Sequence, residues 1–288
     1  MTTIAVSGTS GYLGGYLADF LKRRAGSVIP LRRQPASSAI LFDLRNPAVD
    51  PEEFRNFDVK TLVHCAYDFV PRSPEDIHRV NVGGTIRLFE AAQAGGVERM
   101  VLVSSLSSYD GARSLYGRAK LAQERAVTSM GGICLRPGLI WGNGKGGMMG
   151  TLSRLVERLP VVPLIGGGER EQFLTNIDDL AQAIAFLSME PHNLAGTIIP
   201  IAYPESQTMR AILGELARQA GTAPVFLTAP WRLVWLAIRL LEAAVPGCSL
   251  RSDSVIGLIH ADESPLFSPA LLEALVGHQL LRFPGSRA

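Results

Sequence analysis

Cysteine is scarce. Only three occur in 288 residues, at positions 65, 134 and 248, far apart in the chain. No Cys-x-x-Cys or His-x-x-His pair is present, so neither a disulfide framework nor a metal site is implied. Cys65 and Cys134 lie in apolar runs and read as buried thiols. Charge is nearly balanced at a formal net of +2, so the chain lacks the basic field that nucleic-acid binding needs. Long uninterrupted apolar runs are missing too. The most hydrophobic late stretch, residues 225–245, is broken by Arg232, Arg239 and Glu242, which argues against a membrane-spanning helix. The opening MTTIAVSG enters strand-like sequence with no basic region or long apolar segment before it, so the expected location is the cytoplasm. No internal repeat or low-complexity segment stands out.

What is present is a regular alternation. An apolar strand at residues 3–7 is followed by Gly8-Thr-Ser-Gly11-Tyr-Leu-Gly14 and a helical pattern through Leu13, Leu17, Phe20 and Leu21. Further strands are predicted at 27–31, 39–42, 61–64, around 101–103 and at 133–136. A long helix containing Asn81 is predicted over 74–95, and a second carries Tyr116. Strand–helix alternation of this kind demands a doubly wound parallel sheet, an α/β fold. The glycine-rich stretch 142–150 reads as a mobile lip. A helix over 148–158, a loop at 166–170 and residues 173–177 follow, then a helix capped at Asp178 or Asp179. A strand at 197–201 and a helix over 208–221, with a Thr cap and a Gly stop, come next. Trp231 and Trp235 lie on an amphipathic helix and are expected in the core, with an apolar substrate lip as the alternative.

Three features carry chemistry. Glycines at 8, 11 and 14, between the first strand and first helix, let the backbone turn tightly and approach a pyrophosphate at the helix N-terminus. Arg32 ends the second strand, where an acidic residue would bind the ribose hydroxyls of NAD and an arginine suits the 2′-phosphate of NADP. Finally, VLVSSLSSYDGARSLYGRAK over residues 101–120 places serines at the end of a buried strand and spaces Tyr116 and Lys120 four apart, on one helix face. A neighbouring ammonium favours tyrosinate and is expected to lower the phenol pKa. Any exposed helix face can carry the same spacing. The pair gains its weight from the loop upstream.

Taken in order, SGTSGYLG, FDLRN, NVGGT, VSSLSSY, YGRAK, LRPGLIWG and FLTNIDDLAQAI resemble the short-chain dehydrogenase/reductase superfamily. More closely they are similar to its extended branch, the NAD(P)-dependent epimerase/dehydratase family, over roughly residues 3–202. The resemblance implies a Rossmann-type sheet with an NAD(P)-binding domain at 1–140, completed by about 173–202. A smaller substrate-binding region would take 141–172 and 203–288. It implies Tyr116 as acid/base, Lys120 as the holder of the nicotinamide ribose, and Ser105 as hydrogen-bond partner of the reacting oxygen. Gly8, Ser10, Gly11, Tyr12, Leu13, Gly14, Arg32, Asp43, Leu44, Cys65, Ala66, Asn81, Lys120 and Pro137 would contact the cofactor, with Asp43 and Leu44 beside the adenine. Tyr67, Ser107 and Arg170 would face the substrate. His64 reads as strand-end packing rather than a catalyst.

Departures from the family pattern narrow the reaction. The 4,6-dehydratases place an Asp–Glu pair after the Ser/Thr, where this chain has Leu106 and Ser107, and the fucose-synthase type places a Cys where Leu106 stands. Ten residues separate Ser105 from Tyr116, fewer than in typical sugar-nucleotide enzymes. Arg170 and Arg251 could meet a diphosphate or simply be surface charges. The expected activity is an NADP-dependent oxidoreductase interconverting a carbonyl and a secondary alcohol on a small-molecule substrate, with NAD as the other possible cofactor. The alternatives are a nucleotide-sugar 4-epimerase retaining NAD and, against the presence of both Tyr116 and Lys120, a non-catalytic NADP-binding sensor. By family analogy the two long helices would pair in a homodimer as a four-helix bundle.

Overall fold

The computed structural model describes residues 2–144, 146–245 and 250–285, so Cys248 lies outside the described residues. In chain order, β1 (Thr3–Ser7), α1 (Tyr12–Ala25), β2 (Ser27–Arg32), β3 (Ile40–Leu41), α2 (Pro51–Asn56) and β4 (Val59–His64) come first. A helical run follows in three parts: α3 (Pro74–Ile77), a π-helical turn (His78–Gly83) and α4 (Gly84–Ala94). Next are β5 (Arg99–Val103), α5 (Leu115–Ser129), β6 (Ile133–Pro137), β7 (Leu139–Trp141), α6 (Gly147–Arg158) and β8 (Val161–Ile165). Then come β9 (Glu171–Gln172), β10 (Leu174–Asn176), α7 (Ile177–Met189) and β11 (Ile198–Ile201). The C-terminal part holds β12 (Gln207–Thr208), α8 (Met209–Ala220), β13 (Val225–Ala229), α9 (Trp231–Ala244), α10 (Ser252–Ile259) and α11 (Pro269–Val276).

Seven strands form one parallel sheet in the order β11-β6-β5-β4-β1-β2-β3. The chain runs outward from β1 to β3, then returns to β4 on the other side of β1. That reversal opens a crevice at the carboxyl ends of β1 and β4, where doubly wound sheets bind ligands. Both faces of the sheet are buried, as the apolar strands require. The two-residue period sends Ile4, Val6, Val101 and Val103 to a core shared with α1 and α7, while Ala5 and Leu102 turn to a second core with Leu88 and Phe89 of α4.

A third core gathers Met149, Val156, Val162, Leu164, Ile212, Leu213 and Leu216 beneath the small parallel pair β8–β13. The C-terminal stretch is not wholly apart from the main sheet, since Leu272, Leu275 and Val276 of α11 join the α1/α7 core.

Several expectations are corrected. The 74–95 helix contains a π turn. The glycine-rich lip is half helix, because α6 begins at Gly147. Helix α7 is capped by Asn176, whose Oδ1 accepts from the Asp178 amide at 2.7 Å, while Asp178 and Asp179 sit in the first turn and complement the helix dipole. Trp231 and Trp235 are only half-buried, on a helix whose outer side is solvent-exposed.

Candidate active site

At the crevice, Gly8 adopts φ +75°, and a Cβ there would meet the backbone of Ala66 at 2.9 Å. A Cβ on Gly14 would lie 2.2 Å from the Gly8 carbonyl oxygen. The two glycines therefore let loop, helix and the end of β4 close on one another, a cradle that side chains would fill. Gly11 precedes α1 with no side-chain cap, and the first turn carries no acid, so its free N–H groups suit an anion. This donor set fits a dinucleotide pyrophosphate. Ser10 is exposed at the loop tip and Leu13 packs on the main core. The Tyr12 hydroxyl donates to the Gly142 carbonyl, and Gly146 lies over the same ring.

The adenosine end follows β2 and β3. Arg32 is exposed, and its guanidinium has no ion-pair partner among the described residues. Asp43 accepts from the Arg45 amide at 3.0 Å, which forms a tight turn, and buried Leu44 packs against Gly84. The Cys65 and Ala66 amides both donate to Ser7 Oγ, at 3.1 and 3.3 Å. Burial pushes the Cys65 thiol up to about 12, which leaves it protonated and inert. The Pro137 carbonyl accepts from the Leu106 amide at 2.9 Å, fixing the serine loop beside the end of β6.

Helix α5 starts where the serine loop returns. Ser114 Oγ accepts from the Gly117 amide at 3.1 Å, and Asp253 of α10 accepts from the Leu115 and Tyr116 amides at 2.7 and 3.0 Å. Two carboxylate oxygens supplied from 138 residues downstream thus finish the N-terminus of this helix. Gly117 is needed here, because a Cβ would lie 2.2 Å from the Ser107 carbonyl oxygen. Ser107 in turn donates its amide to Ser105 Oγ at 3.1 Å.

Ser105 stands close enough to Tyr116 for its hydroxyl to act on the phenol. Tyr116 is not brought toward neutrality. Burial pushes its phenol up to about 12, the Ser105 hydroxyl opposes this, and the charge of Glu124 adds to the rise. Lys120 is on the expected face, but its Nζ donates to the Val103 carbonyl at 2.9 Å and lies 5.4 Å from the Tyr67 ring. Burial lowers its pKa to about 8. Tyr67 packs edge-on against Tyr116 at 4.9 Å, and Phe69 stacks on it at 5.9 Å, so an aromatic lip covers the phenol.

Two buried networks brace these groups. Glu124, one turn beyond Lys120, accepts from Ser108 Oγ at 2.7 Å and holds Arg136 through both oxygens at 2.9 and 2.7 Å. The other runs from Gln123 to Thr85, His64 and Ser7, at 2.7, 2.9 and 2.6 Å. Because Ser7 already accepts two amides, its proton goes to His64 Nδ1, leaving the histidine proton on Nε2 toward Thr85. Burial, then the Lys120 charge, lowers the His64 pKa to about 3, so the ring is neutral and acts as a brace. Asn81 sits in the π turn and binds both the amide and the carbonyl of Asp68, at 2.7 and 3.0 Å, steadying the segment that carries Tyr67. Arg170 stands elsewhere, exposed and paired with Glu263. Arg251 donates to the Pro71 carbonyl at 3.1 Å, beside buried Glu242.

Asp253, Glu124, Gln123, Thr85 and Phe69 were not expected from sequence. Glu124 had a signal, since it continues the Tyr116–Lys120 face by another four residues. Asp253 had none, because its partners are fixed only by the tertiary fold.

Residues 4–202 match the NAD dependent epimerase/dehydratase family. The chain belongs to this family. It is thus an NAD(P)-dependent enzyme of the oxidoreductase/epimerase type, with the doubly wound sheet of its structural neighbours. Among similar proteins, the ceramide reductase of Caulobacter vibrioides is 27% identical over 283 residues, covering 92% of this chain and 87% of the relative. The 2-alkyl-3-oxoalkanoate reductase of Stenotrophomonas maltophilia is 25% identical over 284 residues, covering 87% and 85%. In fold, the chain is similar to MoeE5 in complex with UDP-glucose and NAD, with a TM-score of 0.72 at 20% identity over 98% and 94% of the two chains. It is also similar to the UDP-glucose 4-epimerase of Thermus thermophilus in complex with NAD, with a TM-score of 0.65 at 22% identity over 90% and 98%.

Proposed function

We propose that the chain is an NADPH-dependent reductase of a ketone carried on a long-chain, amphiphilic substrate. The observation that carries this reading is the half-buried Ser105–Tyr116 pair, with the phenol under the aromatic lip. A phenol pushed up to about 12 keeps its proton at any physiological pH, which suits donation to a carbonyl oxygen that is gaining charge. In this reading Ser105 polarises the same oxygen and Tyr116 protonates it. Lys120, anchored on Val103, keeps its remaining N–H groups for the ribose hydroxyls of the nicotinamide nucleoside. The bound nicotinamide supplies the hydride. Gly8, Gly11 and Gly14 hold the pyrophosphate, Asp43 and Leu44 flank the adenine, and Arg32 takes the 2′-phosphate.

Support for the substrate class comes from three sides. Two relatives matched over most of their length are named as reductases of ceramide and of a 2-alkyl-3-oxoalkanoate. Leu106 and Ser107 offer no carboxylate for an elimination. The lip formed by Tyr67, Phe69 and Val70 is aromatic and apolar, with Phe69 and Val70 exposed. The nucleotide-sugar epimerase reading has less behind it, since Arg170 and Arg251 both have protein partners.

The test is titration of the purified protein with NADPH and NADH, together with release of any co-purified nucleotide. The reading expects preference for NADPH, no retained nucleotide, and reversal of the preference by Arg32→Asp. Tightly retained NAD would overturn it in favour of the epimerase.

A further inference from the structure

Among the described residues, the C-terminal part leaves an apolar surface without a partner. Helix α9 is 14 residues, about 21 Å long. Its inner side faces β8 and α10, and Glu242 is buried there against Arg72, Arg239, Arg251 and Ser252, at 3.2, 3.8, 3.8 and 2.7 Å. Its outer side carries Leu233, Leu236 and Leu240 at helical spacing, with Leu233 and Leu240 each 62% exposed. The neighbouring pair β8–β13 repeats the pattern. Val162, Leu164 and Phe226 point into the third core, while Val161 and Pro163 lie in register with Val225 and Leu227 on the open face. Val225 and Leu227 are 62% and 59% exposed. Soluble chains rarely leave an apolar helix stripe and an apolar sheet face side by side in water.

The charges identify what covers this surface. The exposed residues of α9 include Arg232 and Arg239, two turns apart and alongside the leucine stripe, and no acid; Arg239 shares buried Glu242 with Arg72 and Arg251, so the patch keeps a net positive charge. A leucine stripe flanked by arginines is the chemistry of a helix lying in a lipid–water interface. Arginine stems follow the apolar phase while their guanidinium groups reach anionic phosphates. Among the described residues no helix is long and apolar enough to cross a membrane, so the contact is one of lying on the bilayer.

We infer that α9 and the open face of β8–β13 dock on a lipid bilayer carrying anionic headgroups. The docked face also connects to the candidate active site. Arg72 binds Glu242 of α9, and Arg251 donates to the Pro71 carbonyl, fixing the end of α9 beside the segment that carries exposed Phe69 and Val70. The apolar lip over Tyr116 therefore lies on a segment tied to the docking helix, so an amphiphile in the bilayer would meet both. The inference stands on the surface itself and not on the reductase reading, because membrane binding is measured without turnover.

The experiment is flotation of the full chain with vesicles of phosphatidylcholine alone and of phosphatidylcholine mixed with phosphatidylglycerol. The wild type is expected to float with the mixed vesicles and more weakly with the neutral ones, with the difference shrinking as salt rises. Leu233→Ser with Leu240→Ser should lower the partition coefficient at least about tenfold. Arg232→Gln with Arg239→Gln should remove the preference for anionic vesicles. Leu227→Ser on β13 is an independent variant that should weaken binding on its own. Unchanged NADPH affinity and melting temperature show that each variant is folded. Absence of wild-type flotation, or flotation that none of these substitutions moves, overturns the inference. So does a dimer in solution that the leucine substitutions split, because the face would then belong to a second copy.

Discussion

Tyr116 illustrates how a residue's surroundings decide its chemistry. The Y-x-x-x-K spacing fixes only that phenol and ammonium share a helix face. Burial, the Ser105 hydroxyl and Glu124 then set the proton inventory, and the phenol stays protonated. Tyr116→Phe is expected to cut turnover by about 10²- to 10⁴-fold while NADPH affinity holds, because only the proton donor is lost. Stopped-flow reduction and fluorescence titration would read the two separately. Lys120 makes a pH prediction. Its pKa, lowered to about 8, means that it carries charge below that pH and loses it above. Binding of NADPH should weaken as pH rises through about 8, and Lys120→Met should flatten that profile at a lower affinity.

At the scale of elements, α5 is held at its start by Ser114 and Asp253 and along its length by Gln123 and Glu124. Asp253→Ala should destabilise the protein by about 1 kcal/mol, the usual cost of losing a helix cap, in a denaturant melt. The His64 brace between β4 and α4 has a pH signature with a definite sign. The folded-state pKa is about 3 against an ordinary 6.5, so below pH 6.5 the unfolded chain takes up a proton that the fold refuses. Its contribution is therefore complete above pH 6.5 and is lost as pH falls toward 3, at up to about 1.4 kcal/mol per pH unit. His64→Asn should have a shallower acid slope than the wild type.

Elements with a strong period were legible. The sheet strands read clearly because both of their faces are buried, as did α1 and α8, whose glycine stops fall at Gly26 and Gly221. The π turn was not, because one extra residue in a helical turn leaves no pattern, although the Asn81-Val-Gly-Gly run marks the place. Strand β13 was missed because VFLTA is a short apolar run whose partner, β8, lies far upstream, so no local pattern marks the pairing. Helix α9 misled for a physical reason. Its sequence is amphipathic, and its apolar side points to the core or to an interface with equal force.

For the whole molecule, a parallel sheet supplies the nucleotide crevice, and C-terminal elements finish the helix that carries Tyr116 and Lys120. Ser105, Tyr116, Lys120 and the glycine loop stand out in the sequence as candidates because each belongs to a local motif. The aromatic lip, the Asp253 cap and the two buried networks were not, because they depend on contacts between distant segments. The most direct measurement of the central claim is the loss of NADPH absorbance when the protein meets a long-chain 3-oxo ester, with UDP-glucose run in parallel. We predict NADPH consumption matched by formation of the hydroxy product, absent in Tyr116→Phe, and no reaction with the sugar nucleotide. Conversion of UDP-glucose without net NADPH consumption, alongside an inert ester, would contradict the reductase reading.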